Sequence, residues 1–208
     1  MHSIVCLCCA LLVPVGMALW ILRKKNAQIC CLWAGVTSAL LFALLPCGAL
    51  VYYFPSGAWK AVLIGAAAGQ LGETGRFITM RFILKKHHAS RANAFLFGTG
   101  YGGIMLVLGS LCIKPQDALC GFLTLGGIYA AHLPLSALTW MQASDGKRHM
   151  WLLSALLHAP VGFLSALPAQ GGVAAFVKAG ALWAEAIAIG VLAVRIWKTQ
   201  YCTFRIEV

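Results

Sequence analysis

Seven long apolar runs divide the chain, at residues 4–22, 29–52, 59–84, 92–113, 118–140, 149–167 and 172–197. None shows the two-residue alternation of a half-buried strand, and most approach the ~20 residues that a helix needs to cross a bilayer. A spanning segment must satisfy its own backbone hydrogen bonds, so continuous runs of this length predict helices. The third and seventh runs are the longest, at about 39 Å each for a rise of 1.5 Å per residue. Both exceed a ~30 Å hydrocarbon core and are expected to tilt or to project beyond it. Short connections predict that consecutive helices are antiparallel neighbours. The pattern therefore predicts an all-α polytopic transmembrane bundle of about seven spans, forming one integral membrane domain over residues 1–208.

Composition agrees. Of 208 residues, 61% are hydrophobic and 10% charged, with a mean hydropathy of +0.85. A water-soluble domain of this size cannot bury so much apolar surface. The net charge of +11 sorts by loop. Arg23, Lys24, Lys25, Lys85, Lys86, Arg91, Lys147, Arg148, Arg195, Lys198 and Arg205 close or follow odd-numbered runs or precede even-numbered ones, whereas only Lys60, Lys114 and Lys178 stand at the opposite ends. The positive-inside rule then places the amino terminus outside and the carboxyl terminus in the cytoplasm. Because the basic residues are spent on topology, no basic module remains for nucleic acid. The expected setting is the lipid bilayer of a bacterial plasma membrane. Only His2 stands before the first run as a basic-region candidate, so it does not read as a cleaved signal.

Against this apolar background a few polar residues stand out. Gln70, Glu73 and Arg76 share one stripe of the third run, near its centre. A charge at that depth costs on the order of 2.5–3.5 kcal/mol and usually faces a partner or a cavity. His132, one turn before Ser136 and followed by Pro134, lies at comparable depth in the fifth run; His158, followed by Pro160, does so in the sixth. An ion pair that fixes packing and a joint polar site both fit this pattern. Two histidines with a carboxylate also make His132 and His158 candidate ligands for a divalent metal such as zinc. Glu185 is a further carboxylate in the last run, while His87 and His88 sit in a basic turn.

The glycine-rich segment Phe97–Gly103, FGTGYGG, follows no strand, so it reads as a close-packing surface rather than a nucleotide loop. Tyr101 is its polar point. Nine cysteines lie mostly within the apolar runs. They read as small packing residues, with Cys6–Cys9 a weak redox or metal pair and Cys112–Cys120 a candidate disulfide.

The order GETGRFITMRFILKK, FGTGYGGIM, HLPLS and LLHAPVGF, over residues 65–165, resembles the YhfC family of intramembrane proteases, relatives of the CAAX protease and bacteriocin-processing group. The resemblance implies hydrolysis of peptide bonds in membrane-associated peptides, by a glutamic or metal-dependent mechanism. It maps catalytic roles onto Glu73, Arg76, His132 and His158, and substrate contacts are expected at Tyr101 and Ser136. Where the family carries a first glutamate, this chain has Gly72; for the histidine and glutamate of the second motif it has Tyr101 and Met105. The acidic residue four beyond the last histidine is Gly162 here. A degenerate, inactive site is thus one expectation. A non-catalytic peptide-binding or immunity protein is another, and a proton-coupled transporter, which also needs buried Glu and His, is a third.

Overall fold

The computed structural model describes residues 2–24, 27–54, 57–84, 90–145, 148–168 and 172–203. Lys25, Lys85, Lys86, His87, His88, Lys147 and Arg205 lie outside the described residues. Among those described, all regular structure is helical: α1 (His2–Leu22), α2 (Ile29–Ala39), α3 (Leu45–Tyr53), α4 (Ala58–Ala67), α5 (Glu73–Leu84), α6 (Arg91–Ser110), α7 (Ala118–Asp145), α8 (Arg148–Ala166) and α9 (Gly172–Thr203). Two π-helical segments, Leu40–Leu44 and Ala68–Gly72, join α2 to α3 and α4 to α5 without breaking the rods. The result is seven rods on the seven apolar runs, an all-α membrane bundle.

Five rods are long and apolar enough to cross a membrane: Val5–Leu22, Ile29–Tyr53, Arg91–Ser110, Ala118–Ser144 and Gly172–Thr199. The α4–α5 rod and α8 fall short, and α8 offers a shorter apolar stretch, Trp151–Ala166. These two rods carry the polar stripes, and they pack on each other. Small residues make that possible. A Cβ on Gly65 would stand 2.7 Å from the carbonyl oxygen of Ala159, and one on Gly69 would stand 2.6 Å from that of Ala155. Neither position has room for a side chain, so the two backbones touch, as in small-residue interfaces between membrane helices.

Sequence proximity does not dictate the rest of the packing. The largest interfaces pair α7 with α9, α6 with α7 and α2 with α6, while α1 lies on α6. The expectation that consecutive helices are neighbours therefore holds only in part. α7 is central and touches α5, α6, α8 and α9. Ser90 caps α6, its hydroxyl accepting from the Asn93 N–H at 3.1 Å, and this fixes where that helix starts. Both Cys112 and Cys120 are free thiols, so the disulfide that their spacing suggested is not formed. Cys8 and Cys9 are also free thiols.

Candidate functional site

At the centre of the bundle, side chains from α5, α6, α7 and α8 meet. Glu73 and Arg76, both fully buried, occupy the first turn of α5. The π-helical segment that ends at Gly72 immediately precedes them. Such a widened turn shifts the register of the residues after it and recurs at functional sites. The other π segment faces it: Phe42 lies against Gly75, where a Cβ would overlap the ring.

Polar side chains from three helices surround both oxygens of the Glu73 carboxylate. Oε1 is 2.9 Å from Arg76 Nη1 and 2.8 Å from His158 Nδ1, although those N–H bonds point off the oxygen rather than straight at it. Oε2 accepts from the Thr139 hydroxyl at 2.7 Å and from the Ser154 hydroxyl at 2.8 Å. Each hydroxyl has one proton and a longer alternative, Thr139 to the Leu135 carbonyl at 3.1 Å and Ser154 to the same carbonyl at 3.5 Å. The shorter, charge-assisted contact wins in both. Thr139 and Ser154 were not singled out in the sequence. Thr139 stands two turns beyond His132 on α7, and Ser154 one turn before His158 on α8, so the same-face spacing was there to find.

Arg76 spreads over the cluster. Its guanidinium lies 4.0 Å from the centre of the Tyr101 ring, and Nη2 is 3.0 Å from His132 Nδ1. Arginine has no acceptor, so that imidazole nitrogen must be the one without a proton. A neutral His132 then carries its proton on Nε2, which lies 3.1 Å from the Met105 sulfur. His158 has the opposite polarity. Its Nδ1 faces a carboxylate, which can only accept, so Nδ1 holds the proton; in the neutral ring Nε2 then keeps the lone pair. One ion pair on α5 thus sets two imidazoles, on two other helices, as a donor and an acceptor. Their ring centres are 5.0 Å apart and nearly perpendicular.

Both imidazoles line a cavity of about 180 Å³, otherwise walled mainly by apolar groups such as Leu44, Ile64 and Val161. It reaches Ser165 on α8 and Leu125 on α7, each seven residues from its histidine, or about 10 Å along the helix. The cavity therefore runs from the histidines toward the end of the bundle opposite the basic one.

Four of the expected residues, Glu73, Arg76, His132 and His158, come together, and Tyr101 packs among them. Tyr101 is fully buried and its hydroxyl has no hydrogen-bond partner; it does not line the cavity. A Cβ on Gly72 would stand 2.9 Å from that hydroxyl and 3.3 Å from His158 Cε1. Ser136 is not in the cluster. It packs against Gly98 of α6, and its hydroxyl makes no hydrogen bond. Glu185 is partly buried on α9 and forms no ion pair with a described residue.

A divalent metal does not fit this donor set. Glu73 Oε2 already accepts from two hydroxyls and Oε1 lies against Arg76 and His158, and a ligating Nε2 on His132 would require a proton on Nδ1, pointing at the guanidinium N–H. Only Nε2 of His158 remains as a lone pair directed away from the cluster, whereas zinc takes three or four ligands. Among the described residues, no group of three His, Cys, Asp or Glu side chains is arranged to hold an ion.

Comparison with known proteins points the same way as the motifs. A family model described as YhfC intramembrane metalloprotease matches residues 9–127. That segment contains Glu73, Arg76, Tyr101 and Met105; His132 and His158 follow it. A protein of Bacillus subtilis (strain 168), described as uncharacterized membrane protein YhfC, is 32% identical over 110 residues, 48% of this chain and 42% of the relative. The match thus spans less than half of either protein. No solved structure matches. With more than half of its residues on the family model, and with its seven-rod membrane bundle, this chain belongs to the YhfC family.

Proposed function

We propose that this chain hydrolyses a peptide bond in a membrane-embedded or membrane-delivered peptide, using its two histidines in place of a metal. The observation that supports this reading is the opposed polarity of His158 and His132 on one cavity. His158 Nε2 takes a proton from a water molecule, and the hydroxide oxygen attacks the scissile carbonyl carbon. The carbonyl electron pair moves onto oxygen, which accepts a hydrogen bond from His132 Nε2–H in place of the Met105 sulfur. Protonated His158 then gives its proton to the amide nitrogen as the C–N bond breaks, leaving a carboxylic acid and an amine. Glu73 and Arg76 orient the two rings. Glu73 does not itself activate water in this scheme, because Arg76, His158, Thr139 and Ser154 already crowd its carboxylate and it does not line the cavity. A positioned base contributes about 10²–10⁴-fold, and a pre-set oxyanion donor about 10²–10³-fold.

The test is cleavage of quenched-fluorescent single-span peptides co-reconstituted with the full chain in vesicles, with products identified by mass spectrometry. Cleavage that is lost in His158→Gln, falls about 10²-fold or more in His132→Gln and persists with a chelator supports the proposal. Cleavage abolished by the chelator and restored by zinc would refute the histidine mechanism.

A second reading, a non-catalytic peptide-binding protein, is favoured by Tyr101, whose hydroxyl occupies the space beside Gly72 and closes the cluster on that side. The same vesicles decide: peptide retained without cleavage, and unaffected by His158→Gln, supports binding alone.

A further inference from the structure

Two apolar grooves run side by side on the outside of the bundle and meet at Arg91. One, of about 440 Å³, lies where α6, α7 and α9 pack, floored by small residues that include Ala137, Ala186, Gly190 and Ala193. The other, of about 450 Å³, lies between α1 and α6 and is lined by Met17, Trp20 and Ile21. Phe95 and Leu133 line both grooves and so stand between them.

The mouths of the grooves are cationic. Lys198 lines the first, Lys24 the second, and Arg91 both. Two of these cations rest on tryptophan: the Lys24 ammonium is 5.1 Å from the Trp20 ring centre, and the Arg91 guanidinium is 4.8 Å from that of Trp197. Tryptophan with lysine or arginine is the pairing found at the headgroup level of a bilayer. No carboxylate lines either groove among the described residues. From Ala186 to Trp197 the first groove follows α9 for about 16 Å, roughly half of a ~30 Å hydrocarbon core, which is the depth of one leaflet.

We propose that this pair of grooves binds one anionic diacyl phospholipid, with its phosphate held at Arg91 between Lys24 and Lys198. One acyl chain lies in each groove, on either side of Phe95 and Leu133. Paired grooves with a shared cationic mouth fit a diacyl lipid better than a single-chain amphiphile, and the positive charge of Lys24, Arg91 and Lys198 selects an anionic headgroup. The lipid would bridge α1 to α9 across α6 and α7, helices whose interfaces surround the catalytic cluster. The proposal is independent of any peptidase activity.

The experiment is native mass spectrometry of the full chain released from nanodiscs of equal phosphatidylglycerol and phosphatidylcholine. A basic residue near the surface is worth about fivefold in anionic-lipid affinity. Retention of one phosphatidylglycerol over phosphatidylcholine should therefore be about 25-fold or more with three cations, falling about fivefold in Arg91→Gln and about fivefold again with Lys198→Gln. Arg91→Lys should keep most of the preference. Gly190→Leu, where a Cβ meets open space, should lose the lipid while leaving every cation in place. Equal retention of the two lipids overturns the proposal, as does a preference that survives Arg91→Gln with Lys198→Gln, or one that survives Gly190→Leu. Displacement of the bound species by inorganic phosphate overturns the lipid assignment.

Discussion

Replacing Arg76 by methionine tests how the buried cluster is held. The change removes the guanidinium that lies 2.9 Å from Glu73 and 3.0 Å from His132, and it leaves a fully buried carboxylate with two hydroxyl donors, Thr139 and Ser154, and the neighbouring His158. Breaking a buried ion pair from one side costs about 3–5 kcal/mol, because the surviving charge stays desolvated. Two retained hydroxyl donors and the nearby imidazole soften that penalty, so the expected loss is about 3 kcal/mol, the lower end of that range. For a chain of this size each kcal/mol moves the melting midpoint by roughly 2–4 °C, giving a drop of roughly 6–12 °C in thermal melts of the detergent-solubilised protein. The double variant Glu73→Gln with Arg76→Met removes both charges, and replacing a buried pair together is often close to neutral. It should recover most of the loss. Equal destabilisation in the single and double variants, or no destabilisation in the single one, would refute the view that the pair is a mutually dependent unit.

Two further outcomes follow from the same geometry. Gly72→Glu alone should destabilise the protein, because even its Cβ would meet the Tyr101 hydroxyl at 2.9 Å; with Tyr101→His the cost should shrink by about 0.5–3 kcal/mol, the usual coupling of neighbours in contact, as measured in a double-mutant melting cycle. The distribution of basic residues predicts that a cysteine introduced near Lys24 is labelled only from the cytoplasmic side of intact cells and one near Lys114 only from the outside; the reverse pattern would invert the topology.

Much of the architecture was legible because membrane helices announce themselves by length and hydropathy, and the seven apolar runs became seven rods. Their neighbours were not legible. Nothing in the run of apolar residues says that α1 packs on α6 rather than on α2, since lipid-facing and helix-facing positions draw on the same residue types. The π segments were equally hidden: Leu40–Leu44 and Ala68–Gly72 have no composition that marks a widened turn. The charged and imidazole members of the site stood out because such groups are costly in a membrane. Thr139 and Ser154 did not, because a hydroxyl in a membrane helix is inexpensive when it bonds its own backbone. Ser136 lies one turn after His132, yet helix rotation carries it toward Gly98, while Thr139 reaches Glu73. In the mechanism proposed above Glu73 orients His158 rather than activating water, because its carboxylate lies among Arg76, His158, Thr139 and Ser154.

The most direct test of the account is nitrogen NMR of the full chain with ¹⁵N-labelled histidine, assigned through His132→Gln and His158→Gln. The structure predicts two neutral imidazoles of opposite tautomer, His132 protonated on Nε2 and His158 protonated on Nδ1, with His132 losing its fixed tautomer in Arg76→Met. Finding both rings in the same tautomer, or His132 unaltered without Arg76, would contradict it.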